Sequence, residues 1–348
     1  MFGKTAVGLV LAAVLSVVSQ PIAAEGESLT VLTINVWSGL DYRGSFKMGE
    51  YEEKDVRRQR TQALLDGLRE LSPDVLALNE ANKLPRYGRR LAKALGYDRV
   101  WHVGLGGLRA GPVGIPCNLR EGDVLLARPP LGLRRAGREQ LSGGPVGNFF
   151  TAHLTDATQV VAGRIRVAGT EICLFCTHWH ASPFPTDAYL AELEARLRSG
   201  GLDEEAYRKK VAEAKSGVEW RMGEAREMLA FIQRVAGGGP AILLGDFNAL
   251  ADSEEIGLLR QAGFLDAFEL AGSGEGFTWD ADGNPNIQLQ RRTYPDEVPE
   301  DPRNKRIDYV FVRGSGLSVT RARVVLDRPF GGQYPSDHYG VLAEIEVR

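Results

Sequence analysis

The side chains best suited to chemistry in this sequence directly follow short apolar runs. In the stretch AILLGDFNAL, residues 241–250, the carboxylate of Asp246 and the carboxamide of Asn248 come after branched apolar residues and a glycine. A run this short is typical of a strand that is buried on both faces. Side chains at positions i and i+2 point the same way, so both are predicted to face a ligand site at the end of a sheet.

An apolar run followed by a polar group recurs along the chain. Turn formation explains any one of these polar residues, but not the recurrence of the whole set. Carboxylates gathered with amides and imidazoles are what metal-assisted attack of water on a phosphate ester requires. The members of the set are Asn35, Glu80, His178, Asp246, Asn248, Asp308, Asp337 and His338.

Glu80 is the member that best suits a hard cation such as Mg²⁺, which binds one or two carboxylates together with water and substrate oxygens. We predict Glu80 as a direct metal ligand, with Asn35 and Asp337 nearby or acting through water. Each also has a structural interpretation, with Glu80 as a solvated residue after a strand and Asn35 as a turn former. The prediction therefore depends on their convergence in the fold.

The other members suit proton transfer and charge stabilisation. His338 has a tunable pKa, and Asp308 is predicted to hold it while it activates a water. Asp308 has an alternative interpretation as an ion-pair partner within its strand. His178 and Asn248 are predicted to stabilise developing negative charge, and His178 is suited to protonate the leaving oxygen. If the strand of His178 continues, His180 shares its side and lines the site.

The elements that must position these groups mix strands and helices, without a linker long enough to divide the chain. Strands are predicted at residues 29–35, 75–78, 123–126, 159–167, 171–177, 242–244, 307–313, 319–326 and 341–347. Helices are predicted at 55–71, 86–95, 220–235 and 253–261, with an insertion at about 187–218 and a polar loop at 280–304. We predict one domain over residues 25–348, an α/β sandwich of packed sheets with outer helices.

The first residues predict export. Lys4 precedes an apolar run from Ala6 to Val18 and a small-residue stretch ending at Ala24, the pattern of a cleavable signal peptide over residues 1–24. That run is too short for a membrane anchor, and no later stretch predicts a membrane span. We therefore predict a secreted or periplasmic protein. The formal charge of −3 permits a metal-dependent nuclease but does not favour nucleic acid as the partner.

Cys117, Cys173 and Cys176 form an odd set, so at least one thiol is left over. On a strand, Cys173 and Cys176 face opposite sides about 10 Å apart, too far for a disulfide without a bulge. Core cysteines are favoured over a zinc site, and a pairing of either one with Cys117 stays open. His102 and His153 are assigned to structure or surface.

Together these motifs resemble the endonuclease/exonuclease/phosphatase superfamily, which includes deoxyribonucleases, abasic-site endonucleases, sphingomyelinases, inositol-phosphate phosphatases and tyrosyl-DNA phosphodiesterases. The resemblance begins near residue 30 and is carried by LTINVW, VLALNE, CTHWH, LLGDFNA, RIDYVFV and SDHYGV. It implies a four-layered α/β sandwich and Mg²⁺- or Mn²⁺-dependent hydrolysis of phosphate esters.

The resemblance also implies roles for individual residues. Glu80 corresponds to the metal ligand, Asp308 and His338 to the activating dyad, and Asp246 to the group that positions or deprotonates the attacking water. A histidine at position 178 is similar to the sphingomyelinase and deoxyribonuclease branches, whereas abasic-site enzymes usually have tyrosine there.

The sequence departs from the family at Asn79, where Gln is common, and in the insertion at 187–218, which is longer than most members carry. Substrate specificity therefore does not transfer directly. The run Thr278-Trp279-Asp280, followed by Asn284, is similar to segments of sphingomyelinases and tyrosyl-DNA phosphodiesterases. It implies substrate contacts for Trp279 and Asn284, with Trp279 stacking on a base, lying against a lipid chain, or packing in the core.

Three functions fit these residues. The first is a secreted, metal-dependent phosphodiesterase acting on a small or lipid-headgroup phosphate ester, which export and the slight acidity favour. The second is an extracellular nuclease with the same mechanism. The third is a secreted binding module on an inactive enzyme fold, which the presence of both metal-binding and water-activating groups disfavours.

Overall fold

The structure is a computed structural model that describes residues 26–38, 53–105, 108–110, 113–115, 120–142, 158–293 and 303–348. The predicted signal peptide, Cys117 and His153 lie outside these ranges. Within them, no helix combines the length and apolar character that crossing a bilayer requires.

Strands and helices are mixed along the described chain. The strands are β1 (Glu27–Asn35), β2 (Val75–Asn79), β3 (Asp98–Leu105), β4 (Leu108–Ala110), β5 (Val113–Ile115), β6 (Glu121–Ala127), β7 (Arg134–Gln140), β8 (Gln159–Val167), β9 (Thr170–His178), β10 (Ala241–Asp246), β11 (Leu265–Asp266), β12 (Asp308–Arg313), β13 (Leu317–Val325) and β14 (Gly340–Val347). The helices are α1 (Lys54–Leu71), α2 (Arg86–Leu95), α3 (Asp187–Arg198), α4 (Glu204–Ala236), α5 (Glu254–Gln261), α6 (Ala267–Ala271) and α7 (Pro285–Thr293).

The main strands form two six-stranded sheets, ordered β13-β14-β1-β2-β6-β3 and β11-β12-β10-β9-β8-β7. The parallel pair β1 and β2 lies in the first sheet, and the parallel pair β9 and β10 in the second. Strand β14 runs antiparallel to β1, and β12 runs antiparallel to β10. The parallel strands of each sheet therefore end where their antiparallel neighbours begin. The ends of β1, β2, β9 and β10 lie on the same side of the sandwich as the starts of β12 and β14.

Helices cover the outer face of each sheet, and apolar side chains fill the space between the sheets. Val31 and Leu174 belong to the layer between the sheets. Leu64 of α1 and Leu91 of α2 are buried against the first sheet, and Phe231 of α4 is buried against the second. Alternating strand positions feed these layers because successive side chains point to opposite faces. The arrangement confirms the predicted four-layered α/β sandwich.

Two predicted segments differ from the structure. The predicted loop at 280–304 contains α7, which begins with Pro285, a residue whose fixed φ suits the first helical turn. The predicted insertion at 187–218 has no boundary before Trp220, because α4 runs unbroken through that point. Its buried residues recur at helical spacing across the boundary, at Ala214, Gly217, Arg221, Glu224, Ala225, Met228, Phe231 and Ile232.

The two cysteines of β9 are core residues, as predicted. Cys173 and Cys176 are both free thiols and both buried. Cys176 lies in the layer between the sheets, and Cys173 lies in the layer beneath α4. Because they face opposite layers, they share neither a disulfide nor a zinc site.

Candidate active site

The strand ends bring the predicted polar groups to one rim of the sandwich. Asp246, at the end of β10, is level with His178 at the end of β9 and with Asp308 at the start of β12. Asn35, at the end of β1, donates from Nδ2 to Glu80 Oε1 at 2.9 Å and to Asp246 Oδ2 at 3.0 Å. The amide of Asn35 therefore joins the two sheets at the rim.

Gly245 allows β10 to approach β9 closely enough to place Asp246. Its φ is +150°, and a Cβ there would lie 1.9 Å from the carbonyl oxygen of Thr177. Only glycine avoids that clash. The chain then turns at Asn248, which has φ +44° and donates its backbone N–H to Asp246 Oδ1 at 2.9 Å. Phe247 is buried beneath the turn, so Asp246 and Asn248 alternate with it as predicted.

The carboxylate of Glu80 is oriented by two hydrogen bonds. Oε1 accepts from Asn35, and Oε2 accepts from the backbone N–H of Ser38 at 2.9 Å. Burial alone would raise the pKa of Glu80, but the charge of His178 and these hydrogen bonds lower it below its usual range. Asn35 Oδ1 accepts from the Trp37 N–H at 3.0 Å, so both ends of the Asn35 amide are engaged. Asn35 therefore orients carboxylates rather than presenting an open ligand.

Asp337 adds a second acidic group to this region. Its Oδ1 accepts from Ser336 Oγ at 3.1 Å. Burial raises the pKa of Asp337 to about 6, and the negative charge of Glu80 contributes to that rise. The two carboxylates are therefore close enough to interact electrostatically.

His338 and Asp308 form a buried pair in which His338 Nδ1 lies 2.8 Å from Asp308 Oδ2. Burial alone would lower the pKa of His338, but the charges of Asp308 and Asp246 raise it well above its usual range. The other ring nitrogen, Nε2, lies 3.8 Å from Asp246 Oδ2. The imidazole is therefore held by one carboxylate and faces another.

His178 also faces Asp246. Its Nε2 lies 3.6 Å from Asp246 Oδ2, and 22% of its side chain is exposed. Burial alone would lower the pKa of His178, but the carboxylates of Asp246, Glu80 and Asp123 raise it to about 9. His178 is therefore protonated at neutral pH, the state that stabilises negative charge and can donate a proton. Burial, together with the charge of Asp308, raises the pKa of Asp246.

The donor set fits a hard divalent cation, because four carboxylates gather around two histidines. Asp308 Oδ1 is buried and accepts no hydrogen bond within the described ranges. Ligand atoms of Asp246, Asp308 and His338 lie within 4.8 Å of one another. Glu80 and Asp337 form the other acidic group. Both nitrogens of His338 face carboxylates within that trio.

Of the three predicted substrate-binding residues, Trp279 is the one that contacts the site. Its half-buried ring meets the ring of His338 edge to face, at 5.0 Å between centroids. Asn284 is fully buried, and its Nδ2 donates to the backbone carbonyls of Ser336 at 3.0 Å and Asp337 at 2.9 Å. Asn284 therefore supports the loop before His338, and its buried amide does not face the open rim.

His180 also differs from the prediction. Strand β9 ends at His178, so the alternation that would place His180 on the same side does not continue. The ring of His180 instead lies 5.7 Å from that of Trp220 on α4. Its backbone N–H donates to Glu224 Oε2 at 2.8 Å. His180 therefore faces α4.

Asn79 is a buried site residue that the sequence marked only as a departure from the family. Its Nδ2 donates to Asp123 Oδ1 at 2.7 Å and to the Thr177 carbonyl at 2.8 Å. Its Oδ1 accepts from the Asp246 N–H at 3.0 Å. One amide thus ties β2 to both β9 and β10, directly beside Glu80.

Arg60 was also missed. It is 4% exposed and donates to the carbonyl oxygens of Val36, Trp37 and Pro335 at 3.1, 3.1 and 2.9 Å. These bonds join the loop after β1 to the loop before Asp337. The available signal was an arginine on the same face of α1 as the apolar residues three and four positions later.

Comparisons with known proteins agree with this geometry. A family model described as the Endonuclease/Exonuclease/phosphatase family matches residues 217–338, which include Asp246, Asn248, Asp308, Asp337 and His338. By sequence, no curated protein matches the chain.

Solved structures match along almost the whole chain. An endonuclease/exonuclease/phosphatase family protein from Bacteroides thetaiotaomicron aligns with a TM-score of 0.61 and 17% identity, covering 93% of this chain and 99% of that one. A Bacteroides vulgatus protein aligns with a TM-score of 0.58 and 14% identity over 92% and 100%. D. rerio TDP2 complexed with single-strand DNA product aligns with a TM-score of 0.56 and 16% identity over 92% and 99%.

The fold is that of solved endonuclease/exonuclease/phosphatase family structures. The family-model match over residues 217–338 and the shared fold support the resemblance to the endonuclease/exonuclease/phosphatase superfamily that the motifs predicted. Members of this superfamily are hydrolases that act on phosphoester bonds.

Proposed function

We propose that this protein is a divalent-metal-dependent phosphodiesterase that hydrolyses its substrate by in-line attack of water. The observation that carries the proposal is the position of Asp246 Oδ2, which lies 3.8 Å from His338 Nε2 and 3.6 Å from His178 Nε2. Asn35 links the same oxygen to Glu80. One buried carboxylate thus connects two histidines with the predicted cation ligand.

The cation side consists of Glu80, with Asp337 beside it. A bound Mg²⁺ or Mn²⁺ would polarise a phosphoryl oxygen and offset the negative charge that develops on it. Asn35 and Ser38 hold the Glu80 carboxylate in one orientation through the hydrogen bonds described above. The ligand is thereby preorganised before substrate binds.

The water side consists of His338, Asp308 and Asp246. Asp308 fixes the His338 ring, so that Nε2 and the Asp246 carboxylate face the same space, where His338 can orient a water and the Asp246 carboxylate can accept its proton. On the other side, protonated His178 is suited to stabilise phosphoryl oxygens and to protonate the leaving oxygen. One N–H of the Asn248 amide donates to the Trp179 carbonyl at 3.0 Å, which leaves its second N–H for substrate.

The test is hydrolysis of bis-p-nitrophenyl phosphate, sphingomyelin, plasmid DNA and single-stranded DNA with Mg²⁺, with and without chelator. We expect His338→Asn to lower turnover by about 10²- to 10⁴-fold, the usual contribution of general acid–base catalysis. His102→Asn makes the same chemical change away from the site and should keep wild-type turnover. Chelator-resistant hydrolysis, or a fully active His338→Asn variant with native circular dichroism, would contradict the proposal.

For the substrate, net charge alone favours a small or lipid-headgroup phosphodiester, and a nucleic-acid strand is the second candidate. The second candidate is supported by the shared fold of D. rerio TDP2, whose structure holds a single-strand DNA product. We also propose that residues 1–24 direct export and are removed. N-terminal sequencing of protein recovered from outside the cytoplasm tests that proposal.

A further inference from the structure

Helix α2 carries a stripe of positive charge on an otherwise slightly acidic protein. Between Glu80 and Asp98 the sequence contains five basic residues and no acidic residue. Four of these cations are exposed on α2 at spacings that place them along one side of the helix. With Ala94 they line a shallow surface groove of about 490 Å³. We call Arg86, Arg89, Arg90 and Lys93 the α2 stripe.

The stripe lacks the acidic partners that several arginines on other helices have. On α1, Arg69 pairs with Asp66 at 3.1 Å, and on α3, Arg196 pairs with Glu192 at 3.2 Å. Among the described residues, no member of the α2 stripe forms an ion pair. Four adjacent unpaired cations repel one another, a cost that an anionic partner would remove.

The topology places one end of the stripe at the active-site rim. Strands β2 and β3 both run antiparallel to β6, and Val75 and Asp98, their first residues, are both level with Ala127. Helix α2 connects the rim end of β2 to the far end of β3, so it runs from the rim down the flank of the sandwich. Arg86 follows Glu80 by six residues and lies within about 20 Å of it. The stripe extends about 10 Å further to Lys93.

We propose that the α2 stripe binds the phosphate backbone of a single-stranded nucleic acid whose scissile phosphodiester lies at Glu80. The inference rests on the proposed phosphodiesterase function and names its substrate class. Three of the four cations are arginines, whose planar guanidinium groups bind phosphate through paired N–H donors. A strand leaving the rim must turn onto the flank, which a flexible single strand does at less cost than a stiff duplex.

A lipid bilayer fits these observations less well. The exposed large apolar side chains among the described residues are Trp220, Leu265 and Leu270, and none of them lies on α2. The stripe therefore offers no apolar group for insertion, which stable membrane binding usually requires. A bilayer lying flat against the flank would also leave the rim at the edge of the contact. Phosphate backbone contacts need neither feature.

The test is fluorescence anisotropy with a labelled oligothymidylate in chelator, measured over a range of salt concentrations. The test variant is Arg89→Gln/Arg90→Gln/Lys93→Gln. We expect the slope of log K against log salt to flatten by about 2, since each phosphate contact on a single strand contributes about 0.7. By the same relation, affinity at 0.1 M salt should fall about a hundredfold. An unchanged slope and affinity would overturn the inference.

The matched control is Lys209→Gln/Lys210→Gln/Lys215→Gln on α4, which changes the net charge by the same amount and should bind like wild type. Equal losses in both variants would show that only overall charge matters and would overturn the inference. So would tighter, stripe-dependent binding to duplex DNA, or stripe-dependent binding confined to phosphatidylserine vesicles.

A small substrate separates this inference from the proposed function. Bis-p-nitrophenyl phosphate is too short to reach α2, so both triple variants should hydrolyse it at the wild-type rate. If wild-type protein hydrolyses it but oligonucleotide binding ignores the stripe, the inference fails while the proposed function stands. If the wild-type protein hydrolyses no phosphodiester, the proposed function fails. The claim that a phosphodiester is cleaved at Glu80 then fails as well.

Discussion

Replacement of Asn79 by alanine tests how the two sheets are held in register beneath the site. The Asn79 amide is fully buried and makes hydrogen bonds of 2.7, 2.8 and 3.0 Å with Asp123, Thr177 and Asp246. Two of these partners belong to the opposite sheet and one to the same sheet. Asn79→Ala therefore leaves a buried carboxylate, a carbonyl and an N–H without their partner at once.

Each buried group that loses its partner costs about 1 to 3 kcal/mol, so the free energy of unfolding should fall by at least about 3 kcal/mol. That is a large share of the roughly 5 to 15 kcal/mol that stabilises a typical domain. If the variant still folds, the Asp246 backbone is no longer fixed, and turnover should fall as well. Substrate affinity should change less, because Asn79 is fully buried and cannot contact substrate.

The assay is guanidinium denaturation followed by circular dichroism. Asn82→Ala is the control, since Asn82 is a nearby buried amide whose Oδ1 accepts from the N–H groups of Lys83 and Arg120, in the loops next to β2 and β6 of the first sheet. We expect Asn82→Ala to cost about 1 kcal/mol, with most of that from one hydrogen bond. Equal losses of stability in the Asn79 and Asn82 variants would refute the assignment of Asn79 as the link between the sheets.

Two further predictions concern charge at the site. Burial raises the pKa of Asp123 to about 6 from an ordinary value of 3.8. The folded state thus holds the proton more tightly, so stability is greatest below pH 4 for this group and is lost as the pH rises through 6. The free energy of unfolding should fall by about 3 kcal/mol over this pH range because of Asp123. Denaturation of the metal-free Asp123→Asn variant at several pH values should not show this fall. Mg²⁺ should raise the melting temperature of the wild-type protein, because a ligand at a hundredfold excess over its Kd stabilises the folded state by about 2.7 kcal/mol. Glu80→Gln should abolish this rise in melting temperature. If Mg²⁺ raised the melting temperature of Glu80→Gln as much as that of the wild type, Glu80 would not be a cation ligand.

Local pattern in the sequence was sufficient to predict where most of the rim residues lie. An apolar run that ends in a polar group marks a strand end, and the strand period fixes which side chains share a face. Asp246, His178, Asp308 and His338 converge for this reason. Glu80 was found in the same way, although its φ of +52° could not be read from the sequence.

Contacts between distant segments were not predictable in the same way. Asn284 and Asn79 are both asparagines near a motif. Their hydrogen-bond partners are distant in the sequence, so the local pattern could not predict what either side chain does. The role of His180 was misjudged because the end of β9 falls two residues earlier than an alternating pattern would place it. The net charge likewise did not reveal the positive charge of α2, because acidic residues elsewhere in the chain offset it and α2 itself has none.

The pairing of β1 with β14 sets Glu27 directly opposite Val347. Both residues lie at the far end of β1 from Asn35, which puts them roughly 25 to 30 Å from the rim. A linker joined at either of these strand ends would therefore tether the domain with its catalytic face turned outward. Immobilisation on a solid support through this end should leave even a bulky polymer free to reach the opening.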